Sequence, residues 1–453
     1  MKTVKILSLL AVLLGTTFTA CKKNKDSDDN GGGSGGTTRA DKIKDTTIAY
    51  SRDIYLWYDK IPASFNARSY SDPDAIMKAI RPFSIEPGFS APVDRWSFAV
   101  SQAEWDDVSG GVAKDFGLNA FFYTSSDLRV RMVEPNSPAG IVGIKRGWRF
   151  TKVNGSTNIT TTNAEALVNA IYGSSNTSFT FLKPDGNSVD ITLTAASYNS
   201  KPLLLDSVYT VGVKKVGYMV YNSFLGDKAD TRSGYQRIIN RFVGAGVDDV
   251  IIDLRYNGGG YVDLQQTLAD YLVPTAGNGG IMMMSKFNNK YSEENETVKF
   301  AKKGTLNLSR IFFIVSNSTA SASELLINNL KPYIADVKII GPSKSYGKPV
   351  GYFPIPVGDD YIFPVSFRTV NKNNEGNYFD GFALSNQAAD GLNKELGDAE
   401  ESCLASALKY IGTGAFRIST ATERQTMIAS PELTNANKKM DHQFKGMITE
   451  RKF

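Results

Sequence analysis

Residues 311–326 read IFFIVSNSTASASELL, and this stretch decides how the second half of the chain folds. Its first five residues are apolar and mostly β-branched or aromatic, which predicts a short buried strand. Small polar residues then break the strand. Glu324 begins a helical pattern that Leu325 and Leu326 continue. The sequence therefore places Ser321 at a sharp strand-to-helix turn.

Ser321 has two interpretations. With Glu324 three residues later it fits a capping box, whose role is to start a helix. As a nucleophile, a serine at such a turn would expose its hydroxyl beside free backbone N–H groups, and it would need a base. The single histidine, His442, lies in a polar tail, which argues against a Ser-His-Asp triad. Lys348, in the loop GPSKSYGKPVG (residues 341–351), is the remaining candidate.

These residues resemble the carboxyl-terminal processing, or tail-specific, serine peptidases. That family has a run of the S-A-S-A-S-E type and, farther along, a lysine in a Gly-Lys element. The matching text here is TASASE at residues 319–324 and YGK at residues 346–348. The resemblance implies that Ser321 is the nucleophile and Lys348 its base. Tyr352 stands where family members often have a glutamine that orients the lysine.

Strands and helices alternate after residue 200, which predicts parallel βαβ units. The resemblance is strongest in DLRYNGGG, residues 253–260. It implies that Gly258 and Gly259 bring backbone N–H groups to a developing oxyanion, together with the N–H of Ala322. A phosphate-binding loop is the rival interpretation, but the glycine run lacks the G-x-G-x-x-G spacing.

The middle of the chain resembles a PDZ module. Four short predicted strands surround two helices, and three phrases match in order: VEPNSPAG at 133–140, GIKRGW at 143–148 and VNG at 153–155. PDZ modules bind an extended peptide as an added strand and hold its terminal carboxylate on loop N–H groups. The resemblance assigns that loop to Phe116, Gly117 and Leu118; the alternative is an ordinary glycine turn before a strand.

The N-terminus has the pattern of an export signal: two lysines, an apolar run over residues 6–14, and small and polar residues that end at Cys21. The end of this pattern resembles a bacterial lipoprotein signal, which implies lipidation of Cys21. The alternative is an ordinary cleaved signal with an incidental cysteine. Residues 31–36, GGGSGG, predict a flexible tether. We therefore expect a lipid-anchored protein of the cell envelope, on the outer membrane and facing either the periplasm or the surface.

The composition limits the classes of function. The chain has 453 residues, 42% of them hydrophobic, and a net charge of +5 with no basic stripe, so nucleic-acid binding has no support. One histidine and a solitary Cys403 argue against zinc, and no metal or other cofactor is predicted. Protein or peptide substrates, recognised through their C-termini, are the expected partners.

The predicted fold is a multidomain α/β protein. The predicted segments are a signal peptide (1–20), a lipid-anchored tether (21–40), a helical region (41–99), a PDZ-like β-rich domain (100–198), a Ser/Lys peptidase domain of the crotonase-like ββα-repeat type (199–412) and a polar tail (413–453) that packs loosely or is disordered. The predicted function is a serine endopeptidase that cleaves exported or envelope proteins. Two alternatives stay open: an inactive peptide-binding lipoprotein on the same scaffold, and a carbohydrate-binding or structural lipoprotein.

Overall fold

The computed structural model describes residues 37–427 and 430–450. The predicted signal peptide, the lipidation site Cys21 and nearly all of the predicted tether lie outside the described residues. Among the residues that are described, none of the helices combines the length and the apolar character needed to cross a membrane.

The N-terminal region is helical and packs against the predicted peptidase domain, residues 199–412, which is called the peptidase domain below. It comprises α1 (Arg39–Ile54), α2 (Pro73–Ile80), β1 (Phe98–Ser101) and α3 (Gln102–Gly110). Pro73 fits the first turn of α2, and the Asp72 side chain caps it by accepting a hydrogen bond from the N–H of Ala75. Buried Tyr55 and Trp57 share one hydrophobic core with Tyr352 of the peptidase domain. The helices therefore support the loop that carries Lys348.

The β-rich domain is a five-stranded antiparallel sheet with the order β3-β4-β5-β6-β7. Its elements are β2 (Val112–Asp115), β3 (Leu118–Thr124), β4 (Asp127–Val133), α4 (Pro138–Ile141), β5 (Arg149–Val153), α5 (Ala164–Tyr172), β6 (Asn176–Leu182), β7 (Ser188–Thr194) and β8 (Ala196–Asn199). A separate pairing of β2 with β8 closes the domain at its base. The sequence predicts four strands for this domain and misses β5. Strand β3 is at the edge of the sheet, which leaves one side of its backbone open to other partners.

The peptidase domain contains the remaining large sheet. Its elements are β9 (Leu203–Val211), β10 (Lys214–Tyr221), α6 (Lys228–Gly244), β11 (Asp249–Asp253), β12 (Gly259–Tyr261), α7 (Val262–Leu272), β13 (Ile281–Phe287), β14 (Glu296–Lys299), β15 (Arg310–Ile314), α8 (Ala322–Leu330), β16 (Asp336–Gly341), β17 (Val350–Gly351), β18 (Ile355–Val357), β19 (Asp360–Phe363), β20 (Phe367–Val370), β21 (Asn386–Gln387) and α9 (Ser402–Thr413). Single 3-10 segments lie at Tyr58–Lys60, Ala67–Ser69, Arg81–Phe83, Thr161–Asn163, Thr275–Gly277 and Asn289–Glu294.

The strand order in this sheet is β21-β16-β15-β11-β10-β9. Strands β10, β11, β15, β16 and β21 run parallel, which confirms the predicted βαβ units, while β9 is an antiparallel edge strand. Side chains alternate between two cores: Met219 and Tyr221 face the side covered by α6, α7 and α8, whereas Tyr218 and Val220 face α9. Because β11 and β15 are parallel neighbours, the turns that follow them meet at one edge of the sheet.

The prediction of a loosely packed tail is wrong for the part of the tail that is described. It contains α10 (Ala421–Thr426), α11 (Pro431–Met440) and β22 (Gly446–Ile448). Leu433, Ala436 and Met440 are buried in the core of the β-rich domain. The few apolar residues of this polar segment recur at helical spacing on one side of α11, so a composition count missed the face that they form.

Candidate active site

The turn between β15 and α8 holds Ser321 in a strained conformation. Its φ is +60° and its ψ is −110°, a region that residues with a side chain rarely adopt. The residue is completely buried. Among the described residues, no group is hydrogen-bonded to its Oγ. A buried hydroxyl without a partner, held at a strained turn, is the state expected of a nucleophile that awaits a substrate.

The turn after β11 fixes this strained turn from the neighbouring strand. The Asn257 carbonyl accepts hydrogen bonds from the N–H of Ala320 at 3.0 Å and from the Ser323 hydroxyl at 3.0 Å. The Thr319 hydroxyl donates to the Leu254 carbonyl at 2.7 Å. Ser321 therefore lies between two residues that are both tied to the glycine turn.

Glu324 does more than cap α8. Its carboxylate accepts hydrogen bonds from the N–H of Ser321 at 2.9 Å, from the N–H of Lys348 at 2.8 Å and from the N–H of Gly347 at 2.7 Å. The Ser345 hydroxyl donates to it at 2.6 Å. Ser321 and Glu324 have the arrangement of a capping box, in which the glutamate accepts a hydrogen bond from the N–H of Ser321, while the Ser321 hydroxyl forms no close hydrogen bond with a described residue. One carboxylate holds both predicted catalytic residues by their main chains.

Glu324 is fully buried, and burial raises the pKa of its carboxyl group above the ordinary value. The four donors oppose that shift because each of them favours the ionised form. Their number explains how an acidic group is tolerated at this depth.

Lys348 is also fully buried. Burial lowers the pKa of its ammonium group well below the ordinary value, and the charges of Asp94 and Glu324 oppose this only in part. Its Nζ lies 3.7 Å from the centroid of the Tyr352 ring and donates a hydrogen bond to the Lys445 carbonyl at 3.0 Å. A neutral amine at this site can accept a proton, which is what a general base must do.

Tyr352, which replaces the family's usual glutamine, contacts the lysine differently. Its ring covers Nζ, and its hydroxyl donates to the same Lys445 carbonyl at 3.0 Å. In this conformation the amine of Lys348 therefore contacts the ring of Tyr352 and the backbone carbonyl of Lys445, near the C-terminus. Sequence reasoning missed Lys445, because nothing in its polar surroundings indicates a contact about 100 residues away in the chain.

The predicted oxyanion donors separate into two groups. The N–H of Gly259 donates to the Asn257 side-chain oxygen at 2.9 Å, so Gly259 is not an available donor in this conformation and its oxyanion role stays a prediction. The N–H groups of Gly258 and Ala322 have no acceptor among the described residues. A Cβ added to Gly259 would lie 3.0 Å from the nitrogen of Ala322, so the two turns touch.

In the predicted carboxylate-binding loop, Gly117 is already hydrogen-bonded and closely packed. The N–H of Gly117 already donates to the Asp115 side chain at 2.7 Å, so in this conformation it is not free for a ligand carboxylate. A Cβ at Gly117 would collide with Ser137, and its φ of +74° also requires glycine. Phe116 is buried, and Leu118 pairs with β4.

A cavity of about 430 Å³ joins this loop to the catalytic turn. Its lining includes Gly117 and Leu118 of the loop, Gly258 of the glycine turn, Tyr172 of α5 and Phe444. The β-rich domain and the glycine turn therefore share one continuous space.

Comparison with known proteins identifies two segments of the chain. Residues 49–98 match the peptidase S41 N-terminal domain, and residues 215–382 match peptidase family S41. The chain therefore contains peptidase S41 family domains. The larger match includes the glycine turn, Ser321 and Lys348, and these domains make the protein a serine-type peptidase. The family resemblance and the α/β multidomain fold inferred from sequence are thereby confirmed.

Two solved structures are similar to this chain. A protein of Bacteroides fragilis NCTC 9343 that is assigned to the S41 proteases has 24% sequence identity and a TM-score of 0.67, with 81% of this chain and 96% of that chain covered. The photosystem II D1 C-terminal processing protease has 16% identity and a TM-score of 0.47, with coverages of 78% and 93%. No functionally curated protein matches the chain. The family matches leave out the β-rich domain and the first 48 residues.

Proposed function

We propose that this S41 peptidase cleaves polypeptides with a Ser321/Lys348 dyad and that its substrates are exported or envelope proteins. The observation that carries the dyad is the shared Glu324 carboxylate, one oxygen of which bonds the main-chain N–H of both residues. A single rigid acceptor keeps the nucleophile and the base in fixed relation, as catalysis by positioned groups requires.

In the proposed reaction, neutral Lys348 takes the proton of the Ser321 hydroxyl while Oγ attacks a peptide carbonyl carbon. The tetrahedral oxyanion is stabilised by the N–H groups of Gly258 and Ala322. Collapse expels the amine, which receives the proton from Lys348, and leaves an acyl-enzyme on Ser321. A water molecule, deprotonated by the same lysine, then releases the acid product. For these steps Nζ has to leave the Lys445 carbonyl and turn toward Ser321.

The proposal requires a lysine that is neutral near pH 7. Bringing its pKa from about 10.4 to the neutral range costs about 4 kcal/mol, which demands burial away from carboxylates. The loop sequence from residue 341 to residue 358 contains no acidic residue. Among the described residues, Lys348 forms no ion pair with a carboxylate.

The test is cleavage of an unfolded protein by the parent chain, Ser321→Ala and Lys348→Ala, with fragments read by mass spectrometry. Lys348→Ala should reduce the rate by about 10²-fold to 10⁴-fold, the contribution typical of a general base, and Ser321→Ala, which removes the nucleophile, should reduce it by about 10⁶-fold. Lys344→Ala is the matched control, since Lys344 is an exposed lysine of the same loop. Persistent cleavage by either variant, with the fold intact by circular dichroism, would remove that residue from the mechanism.

For the β-rich domain we propose PDZ-like binding of a substrate C-terminus, or gating of access to Ser321. Support comes from the three matching sequence phrases and from the cavity that links the domain to Gly258. Binding of a peptide to Ser321→Ala, compared with the same peptide carrying a C-terminal amide, tests the preference for a free carboxylate. Equal affinities would exclude recognition through the terminal charge.

We also propose that Cys21 carries a lipid and anchors the protein in the cell envelope, on the outer membrane. The support is the signal pattern and the Gly/Ser tether that follows it. Metabolic labelling with a fatty-acid analogue should mark the parent and not Cys21→Ala. Equal labelling of both would refute lipidation at this residue.

A second function is favoured by one observation. Tyr352 and Lys445, and not Ser321, contact the Lys348 amine in this conformation. A catalytically inactive, peptide-binding lipoprotein would need no base. Titration of Lys348 by NMR decides between the two: an amine that is neutral near pH 7 supports the dyad, and one that stays charged supports the inactive scaffold.

A further inference from the structure

The C-terminal segment, which we define as residues 430–450, lies along the β-rich domain and then across the catalytic turn. Helix α11 packs against both β3 and α5. Its buried side chains Leu433 and Met440 join the same core as Phe122 of β3. This helix therefore covers the open edge of the five-stranded sheet, the place where a PDZ-like domain would add a peptide strand.

Asn437 fixes α11 to that edge. Its side-chain oxygen accepts a hydrogen bond from the N–H of Phe122 at 2.8 Å, and its side-chain nitrogen donates to the Phe122 carbonyl at 3.0 Å. One amide thus satisfies both backbone groups of an edge residue, as a neighbouring strand would do. A peptide that adds to β3 has to displace this contact.

The segment then enters the catalytic cleft as a strand. Strand β22 pairs in parallel with β12, and the N–H of Gly446 donates to the Gly258 carbonyl at 3.0 Å. On its other side, the Met447 carbonyl accepts from the N–H of Tyr352 at 3.1 Å, and the N–H of Thr449 donates to the Tyr352 carbonyl at 3.3 Å. The strand is held from both sides, between the glycine turn and the residue that covers the base.

Two carbonyl groups of the segment lie against catalytic groups. The Lys445 carbonyl accepts the hydrogen bonds of Lys348 and Tyr352. The Phe444 carbonyl oxygen lies 1.9 Å from where a Cβ on Gly258 would be. The proposed base is therefore bonded to a peptide carbonyl of its own chain, and a second carbonyl of the segment lies against Gly258.

We propose that the C-terminal segment is a built-in competitive ligand, which occupies the groove of the β-rich domain and the catalytic cleft together and keeps the peptidase at rest. This inference rests on the proposed function. A polypeptide substrate gains access by displacing the segment from both places. Because the segment is tethered in cis, its effective concentration is about millimolar, so a substitution that weakens its binding to the groove raises the open fraction.

At Gly446 the neighbouring side chains leave no room for a Cβ. A Cβ at this position would lie 2.0 Å from the Phe444 ring and 2.7 Å from the Tyr352 hydroxyl. Gly446→Val should therefore expel the strand while leaving the helix contacts of Asn437 intact. It provides a second route to release, independent of the groove.

The experiment uses the full chain and the matched pair Asn437→Ala and Asn435→Ala, since Asn435 is exposed on the same helix. Amide hydrogen exchange of residues 440–450 reports release, and cleavage of an unfolded reporter reports activity. Asn437→Ala and Gly446→Val should accelerate both, the cleavage rate by on the order of tenfold, the equivalent of about 1.4 kcal/mol. Asn435→Ala should change neither. A synthetic peptide of residues 430–450 should inhibit the released variants, and its scrambled version should not.

Three results would overturn the inference. Faster exchange with an unchanged, Ser321-dependent cleavage rate would show that the segment does not control the cleft, and the proposed peptidase would stand. Unchanged exchange in both variants, with thermal unfolding like that of the parent, would show that these contacts do not seat the segment. Released variants that cleave nothing would refute the resting-state inference and the proposed Ser/Lys mechanism together.

Discussion

Two buried basic side chains, Arg255 and Lys348, lie at the carboxyl edge of the central sheet, and their surroundings are opposite. Arg255, just after β11, donates to Asp253 at 2.9 and 2.7 Å, to Glu401 at 2.8 Å through each of two nitrogens, and to Asp390 at 3.1 Å. Lys348 is buried to the same degree, yet its amine contacts an aromatic ring and a carbonyl. The pairing of a buried charge, rather than its burial, decides whether the charge persists.

The carboxylates around Arg255 support this distinction. Burial alone would raise the pKa of the Glu401 carboxyl group, but the Arg255 guanidinium brings that pKa below its ordinary value. At Lys348, burial lowers the amine pKa and no carboxylate contact restores it. Arg255 therefore carries a permanent structural charge, whereas Lys348 is suited to the role of the proposed base.

The largest expected effect comes from removing the structural charge. Arg255→Met leaves Asp253 and Glu401 buried without a counter-ion, so the free energy of unfolding should fall by about 3–5 kcal/mol. Urea denaturation measures this loss. The control is Arg237→Met, since Arg237 pairs with Asp206 from an exposed position and should matter by about 1 kcal/mol or less. A loss at Arg255 as small as that of the control would refute the structural role.

A smaller effect is expected at Glu324, whose carboxylate accepts a hydrogen bond from the main chain of the proposed base, Lys348. Glu324→Gln keeps the side-chain shape but turns an NH₂ group toward some of its four donors. The free energy of unfolding should fall by about 1–3 kcal/mol. Cleavage should slow as well, since Ser321 and Lys348 lose their common acceptor. Glu293→Gln serves as the matched control, because it makes the same substitution at an exposed glutamate. Glu324→Gln with parental stability and kcat would show that the carboxylate does not position the dyad.

Features encoded in short stretches of sequence could be predicted, whereas contacts between distant residues could not. The parallel βαβ pattern, the nucleophile turn and the lysine loop are each encoded within short stretches, and the strands place them side by side. The contacts of Asn437 with Phe122 and of Lys445 with Lys348 join residues that are far apart in the chain. Local patterns contain no information about such long-range contacts, so the seat of the C-terminal segment could not be predicted.

Lys348→Met should change how the free energy of unfolding depends on pH. Because the pKa of this amine is lower in the folded chain than in the unfolded one, the unfolded state binds more protons in the interval from the folded pKa up to about 10.4. Stability of the parent should therefore rise with pH across that interval, by at most about 1.4 kcal/mol per pH unit from this group. Lys348→Met should lack this rise. Denaturation at several pH values, compared with Lys344→Met, measures the difference, and parallel curves would mean that Lys348 titrates as an exposed lysine does.

The smallest effect shows whether the ring of Tyr352 or its hydroxyl keeps the pKa of the Lys348 amine low. Tyr352→Phe loses one hydrogen bond to the Lys445 carbonyl, which should lower the free energy of unfolding by about 1 kcal/mol, but it keeps the ring over Nζ. The midpoint of the pH–rate profile should stay where it is in the parent. Tyr352→Gln removes the ring, lets water reach the amine and should move that midpoint to higher pH, because hydration favours the charged form. If Tyr352→Phe alone moves the midpoint upward, the hydroxyl, and not burial beneath the ring, keeps the lysine neutral, and the contrast with Arg255 would then depend on a single hydrogen bond.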